Sequence, residues 1–398
     1  MEIFPKYLKS DQRKILATLL ILGTFIKLYL ALFSPTSADA NAFAEFLEHS
    51  RQFGSSSLYE FRGSYNNIFN FPPAMIYVIK LLGNLVDVTG LPLKFWLRLL
   101  PSLADVGTFL LVCGLLRPKG SQFYALALLA FCPISIFING YEGNVDGLMM
   151  FFVVLSVWLV TREKPVWTAG IAFGLSISVK YVPVMFVPVF FFYLPNWKDR
   201  IQFFIACGLV FLMGAFPFLI QKPNIVTAVL LGYGSIYGVW GLSNVIINLI
   251  GMPQFLHPPY DPIGTHAIVS AILKYLTFGL ICALSVWMNS NKKKPDLFIQ
   301  CGVVVALFLF VTPGFGIQYL VWLVPLVTAA RLGINLTYVG MTTIYLILKG
   351  PDVFSGSTSE SIAMYGCWIS TLIAFLGLWY CAREVAFDRI AGKENRIA

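Results

Sequence analysis

Nearly uncharged runs long enough to cross a bilayer recur along this chain, and they leave few folds open. The first is "ILATLLILGTFIKLYLALF" (15–33), and later ones such as "FFIACGLVFLMGAFPFLI" (203–220) are longer than any soluble core helix needs. A helix requires about 20 apolar residues to span the hydrocarbon. Charged residues make up only 12% of the 398 residues, against about 25% in a soluble domain. The sequence therefore predicts an all-α, polytopic membrane protein.

Short basic turns orient the spans. "KYLKSDQRK" (6–14), "RPKG" (117–120), "REK" (162–164), "NWKDR" (196–200), "NKKKPD" (291–296), Arg331 and the tail from Arg383 hold 18 of the 28 Lys and Arg but only 7 of the 19 acids. Excess Lys and Arg mark cytoplasmic connections. The net charge of +9 is thus read as topology, and no nucleic-acid partner is expected. About twelve transmembrane helices result, at 15–33, 97–116, 121–139, 147–161, 166–180, 182–195, 201–220, 267–288, 297–312, 318–331, 335–349 and 361–382, with both termini inside. The pair around "SVKYVP" is short, and helices broken near the outer face are expected there. Backbone of that kind is tolerated only where it lines a cavity or packs in protein.

Two outer segments remain, 34–96 and 221–266, within a single integral-membrane domain spanning 1–398. The first is expected to carry two juxtamembrane helices, at 40–53 and 73–87. In "ANAFAEFLEHSRQF", Phe43, Phe46, Leu47 and Phe53 fall on one side and Glu45, Glu48 and Arg51 on the other. That spacing suits a helix lying flat at an interface. "ADA" (38–40) also fits a signal-peptidase site, but the preceding run is longer than the roughly 7–15 residues of a signal h-region and contains Lys27.

Polar clusters converge on the outer side: Asp39 with Asn41, "YEGNVDG" (141–147), "VKY" (179–181), "TPGFGIQY" (312–319) and "SYNNIFNFPP" (64–73). Each has a bland reading. Asp39 is equally a loop residue and Asp146 an N-cap. Lys180 could snorkel, Gln318 and Tyr319 could belong to an aromatic belt, and Tyr65, Phe69 and Phe71 could anchor the loop among headgroups. Asp105 lies deep in the second span, where a charge calls for a partner; Arg98 or hydrogen bonds inside the bundle are the candidates. The seven cysteines form no C-x-x-C pair and the three histidines no H-E-x-x-H, so neither a disulfide framework nor a zinc site is expected.

The order of these pieces resembles the GT-C superfamily of membrane glycosyltransferases that use polyprenyl-phosphate sugars. It is most similar to the mannosyltransferases that add the first mannose to GPI anchors, and to their bacterial relatives. The resemblance runs from about 15 to 330: an acid in "ADAN", an amphipathic helix, "SLYEF" and "FNFPP", "GNVD", "SVKYVP" and "QYLVWLVPL". Here the acid lacks the second close carboxylate of a D-x-D pair, and Glu142 stands where relatives often have Arg. No cofactor is implied, and a divalent metal is left open.

The resemblance implies an inverting transfer, mannose favoured, from a polyprenyl-phosphate donor to a hydroxyl of a glycolipid or other extracytoplasmic acceptor, among membrane lipids. Asp39 would be the general base. Asn41, Glu142, Asn144, Asp146 and Tyr65 would bind substrate hydroxyls. Lys180, Tyr181, Gln318, Tyr319, Arg62 and His266 would meet the donor phosphate, where charge develops. The membrane would be a bacterial inner membrane or the ER membrane, with the site on the periplasmic or lumenal face. A secondary transporter or lipid flippase is the rival reading, although no internal repeat of the kind common there is found. A lipid-linked polysaccharide polymerase or ligase is another, but the late outer loop 221–266 has Lys222 alone among Lys and Arg.

Overall fold

The computed structural model describes residues 8–64, 68–116, 121–232, 236–252, 262–290, 294–350 and 357–394. Among them β-structure is confined to two isolated bridges, Arg62–Ile68 and Tyr237–Gly314. Tyr65 and the "RPKG" turn lie outside the described residues.

The chain opens with α1 (Ser10–Phe33), then α2 (Ala38–Phe53), a 3-10 turn (Ser55–Tyr59), α3 (Ala74–Thr89) and α4 (Leu93–Leu115). α5 (Ser121–Ala130), α6 (Pro133–Ser135) and a π-helical turn (Ile136–Glu142) form one broken span. Next come α7 (Asp146–Thr161) and α8 (Val166–Val179); a 3-10 turn (Val182–Phe186) leads to α9 (Val187–Tyr193) and α10 (Trp197–Gln221). α11 (Pro223–Gly232) and α12 (Gly241–Ile250) lie in the segment 221–266. The rest comprises α13 (Thr265–Ser290), α14 (Leu297–Val311), a 3-10 turn (Ile317–Tyr319), α15 (Leu320–Val327), α16 (Leu332–Lys349) and α17 (Thr358–Glu394).

Each of the twelve expected crossings is occupied by a helix or a broken helix. Among the described residues, seven stretches are long and apolar enough to cross by themselves: α1, α4, Gln122–Glu142, α10, α13, α16 and Thr358–Arg383 of α17. The shorter apolar helices sit deeper in the bundle. All eight residues of α15 are buried, and α14 is buried nearly all round, as a helix with no polar face must be. By contrast, α10 exposes Ile201, Ile205, Leu209, Met213 and Phe216, and α13 exposes Ile268, Ile272 and Tyr275. Such apolar outer faces are what lipid contact requires.

Helix directions can be read from the contacts. Asp146 at the start of α7 meets Lys180 just beyond the end of α8, so these two helices are antiparallel. α8 and α10 run parallel and nearly touch: a Cβ on Gly170 or Gly174 would overlap the Phe203 or Cys207 carbonyl oxygen. Small residues four apart permit that approach in lipid, where dispersion must do what the hydrophobic effect does in water.

The juxtamembrane helices form close to where they are expected, but their apolar sides face protein rather than lipid. Phe43, Phe46 and Leu47 of α2 are buried, whereas Phe53 is exposed. Phe46 meets Phe69 edge-on with ring centroids 5.4 Å apart, and Phe43 lies 5.2 Å from Phe71. The Tyr59 hydroxyl donates to the Phe71 carbonyl at 3.0 Å. "FNFPP" is therefore part of the core under α2, not a headgroup anchor; aromatic rings that find ring partners edge-on gain more inside than at the interface. α3 packs on α2 through Gly83 under Leu47, and Arg51 pairs with Asp87 at 2.6 Å.

Candidate active site

The link between α1 and α2 is fixed from below by Arg98 of α4. Its guanidinium is fully buried and donates to the Leu30 carbonyl at 3.1 Å, Ser34 Oγ at 2.9 Å and the Pro35 carbonyl at 2.7 Å. Lys94 adds a bond to the Ser34 carbonyl at 2.8 Å. A planar fork with several donors suits a cluster of carbonyls that lipid cannot satisfy. Arg98 thus does not serve Asp105. The partner of Asp105 is Lys27 of α1, at 2.5 Å, because the fork is already committed to the α1–α2 link.

α2 then starts with Ser37 as its N-cap. Ser37 Oγ accepts from the Ala40 N–H at 3.1 Å and donates to the Glu142 carbonyl at 2.6 Å. One serine thereby caps the helix and joins it to the π-turn. Asp39 is in the first turn, where a negative charge meets the unpaired N–H groups. Asn144 donates its side-chain amide to Asp39 Oδ2 at 2.5 Å. That contact fixes the amide's orientation and leaves Asn144 Oδ1, which is buried, without a hydrogen-bond partner among the described residues.

The turn that presents Asn144 depends on Gly143. Its φ is +76°, and a Cβ there would stand 2.8 Å from Arg98 Cγ, so both backbone and space demand glycine. Beyond it, Asp146 is fully buried. Lys180 Nζ reaches its two oxygens at 2.9 and 3.1 Å, and the Trp322 indole N–H also donates to Oδ1. The Lys180 ammonium stands 5.1 Å from the Tyr319 ring centre and 5.8 Å from that of Trp322, two rings stacked at 4.2 Å. A buried charge pair inside a cation–π box is held far more rigidly than a snorkelling lysine.

These two groups of residues meet. Burial raises the Asp39 carboxyl above the usual carboxylate range; the Asn144 hydrogen bond and the Lys180 charge oppose that rise, and the Asp146 charge adds to it. Asp39, Asn144, Asp146, Lys180, Tyr319 and Trp322 therefore share one neighbourhood, with the half-buried Glu142 beside Asp39. The settings of the other expected residues differ. Asn41 is on the exposed side of α2, roughly 200° round from Asp39 at 100° per residue. Arg62 is exposed and bridged to Ile68. His266 stacks edge-on against Tyr237, which bridges to Gly314. Gln318 is half-buried and folds back over Gly316, and Tyr181 is half-buried beside Lys180. Among the described residues no group of three or more His, Cys, Asp or Glu is placed to hold a metal ion.

The model of glycosyltransferase family 87 matches residues 69–313. This chain belongs to glycosyltransferase family 87. The matched stretch contains Asn144, Asp146 and Lys180 but neither Asp39 nor Trp322. The chain is also similar to "Putative mannosyltransferase YkcB" of Bacillus subtilis (strain 168), 30% identical over 134 residues, which is 31% of this chain and 18% of that protein. It thus spans under a fifth of the relative's length. Family membership marks it as a glycosyltransferase-family chain, and among the described residues seven stretches are long and apolar enough to cross a membrane.

Sequence reading gave Arg98 another role, as a candidate partner of Asp105, and left Trp322 without one. Arg98 had a signal, since an arginine inside an apolar span must find polar partners. Trp322 stands three residues after Tyr319, on the same helical face, but nothing in the sequence says that its N–H meets Asp146.

Proposed function

We propose that this family 87 enzyme transfers a hexose, mannose favoured, from a polyprenyl-phosphate donor to a hydroxyl of a lipid-linked or other extracytoplasmic acceptor, on the periplasmic or lumenal face, with inversion. The observation that carries this reading is the setting of Asp39: a partly buried carboxylate held through one oxygen by Asn144, beside the Lys180–Asp146 pair.

In the transfer, Asp39 Oδ1 takes the proton of the acceptor hydroxyl as that oxygen attacks the anomeric carbon. The bond from anomeric carbon to phosphate oxygen breaks, and its electron pair leaves with the prenyl phosphate. Lys180, fixed by Asp146 and the two rings, supplies positive charge where the phosphate gains negative charge. The unpartnered Asn144 Oδ1 offers an acceptor for a sugar or acceptor hydroxyl. An apolar groove of about 490 Å³ between α1, the α5–π span and α16 provides for a lipid tail. It is lined by Ile26, Leu30, Phe137, Tyr141, Leu346 and Ile347, and Tyr141 at its edge lies under the Arg98 guanidinium.

The test is transfer in liposomes from a panel of prenyl-phosphate sugars. Asp39→Asn keeps shape and a hydrogen bond but cannot accept a proton. Turnover is expected to fall by about 10²–10⁴-fold, the usual worth of general acid–base catalysis. Turnover above about a tenth of the parent's would remove Asp39 from this role, since general-base loss costs more.

A further inference from the structure

One charge pair inside the bundle, with Lys27 buried and Asp105 half-buried, takes no part in this transfer. Lys27 lies inside α1 and Asp105 inside α4, and Nζ meets Oδ2 at 2.5 Å. The same carboxylate oxygen accepts from Ser135 Oγ and from Asn139 Nδ2, the latter at 2.8 Å. Ionised groups at this depth are expensive, and a buried pair often gives no more stability than apolar residues of the same volume. Its three donors come from three successive places. Lys27 is on α1, Ser135 ends α6, and Asn139 is in the middle of the π-turn. π-turns cost helical regularity and collect at functional sites.

The stretch that touches Asp39 comes directly after the π-turn. The turn ends at Glu142, Gly143 reverses the chain in the left-handed region, and Asn144 then reaches the carboxylate of α2. Asn139 also lies across Gly147, where a Cβ would overlap its amide. The Asp105 carboxylate therefore ties down the stretch 135–147 at its start directly and at its end through Asn139.

We propose that Asp105, anchored by Lys27, is a positioning residue for the transfer site: it holds the π-turn in the register at which Asn144 meets Asp39. The proposal draws on the proposed function only for the role of Asp39; the contact it explains stands independently. The charges that act on Asp39 are Lys180 after α8, Asp146 on α7 and Glu142 at the end of the π-turn, while Arg98 and Lys94 of α4 hold the neighbouring 34–35 backbone; both test variants keep all five residues.

The experiment is a pH titration of Asp39 by difference infrared spectroscopy on the full chain in lipid. Its protonated-carboxyl band is identified as the one absent from Asp39→Asn. Two variants are compared with the parent. Asp105→Asn removes the charge, and Lys27→Met with Asp105→Leu replaces the pair by apolar residues, so that folding is kept without a lone buried charge. In both, the Asn144 bond that favours the carboxylate is lost, and the midpoint should rise by about one pH unit, a tenfold loss of the ionised form below it. Adding Asn144→Ala to Asp105→Asn should raise it no further, since both changes remove one contact. An unmoved midpoint in the folded Lys27→Met, Asp105→Leu protein overturns the proposal, as does full additivity with Asn144→Ala. Retained turnover in Asp39→Asn would instead overturn the base role and leave this titration unaffected.

Discussion

Asn144 reaches across 105 positions of chain to donate its side-chain amide to Asp39 Oδ2 at 2.5 Å. The contact joins the juxtamembrane helix α2 to the turn between the π-helix and α7, and in the proposed reaction the other carboxylate oxygen would take the proton. It also favours the ionised carboxyl against the burial that raises its pKa.

Asn144→Ala is therefore expected to act on Asp39 in a definite direction. A general base works only when ionised, so transfer is lost as pH falls through the Asp39 pKa. Removing a bond to the carboxylate raises that pKa further, and the acid limb of kcat/KM should move to higher pH. A limb that stays in place, or moves to lower pH, would mean that Asn144 does not govern this carboxyl. Transfer rates measured across the acid range decide it.

The two charges beyond Asn144 should move the same limb in opposite directions. The Lys180 charge favours the Asp39 carboxylate and the Asp146 charge opposes it. Lys180→Gln should shift the acid limb of the remaining activity to higher pH, and Asp146→Asn should shift it to lower pH. Shifts of the same sign in both variants would show that the limb belongs to another group. Profiles of kcat/KM for the two purified variants supply the comparison.

Lys180 is also half of a fully buried pair, so its loss bears on folding. Lys180→Ala leaves Asp146 unpaired inside the bundle, which typically costs about 3–5 kcal/mol. The thermal midpoint in detergent should fall accordingly. Lys180→Ala with Asp146→Leu removes the lone charge and should recover much of the midpoint without recovering transfer. Recovery of transfer along with stability would make the pair a structural device and nothing more.

Much of this was legible before the structure, and the remainder has physical reasons for being hidden. Apolar runs of roughly 15–25 residues mark where the helices run, because the bilayer imposes one length scale on every span, and the Lys and Arg bias gives an expected sidedness. Asp39, Asn144, Asp146 and Lys180 were visible as polar residues at one end of successive spans. Which of them pair was not, since Lys180 finds Asp146 across 34 positions and Trp322 finds it across 176. The Phe69 and Phe71 rings had two readings for a related reason: an aromatic residue beside an apolar span suits a headgroup layer and a small buried core equally well. Asp105 was recognised as needing a partner, with Arg98 or hydrogen bonds inside the bundle as the candidates; the hydrogen bonds form, from Ser135 and Asn139, but the charge that meets it is Lys27.

Arg98 is committed to the α1–α2 link instead, and its substitution tests the assembly of the site. Its guanidinium holds Leu30, Ser34 and Pro35 from one side and lies over the Tyr141 ring, 5.5 Å from its centre, on another. Lysine keeps the charge but offers one nitrogen in place of two, and it cannot bridge the Ser34 hydroxyl and the Pro35 carbonyl as the fork does. In Arg98→Lys the 34–37 link should loosen, and with it the Ser37 cap that sets where Asp39 stands. A displacement of about 1 Å at a reacting group is enough to cost roughly 10²-fold in rate. We expect kcat to drop by that order while KM for the donor changes little, because Lys180, Tyr319 and Trp322 do not touch the link. The Lys27–Asp105 pair should survive, so the thermal midpoint should fall less than in Lys180→Ala. Steady-state transfer kinetics and a melting curve on the same preparation check both halves. A variant with parental kcat would show that Asp39 is placed by α2 packing alone, through Phe43 and Phe46, and that the buried fork serves only the end of α1.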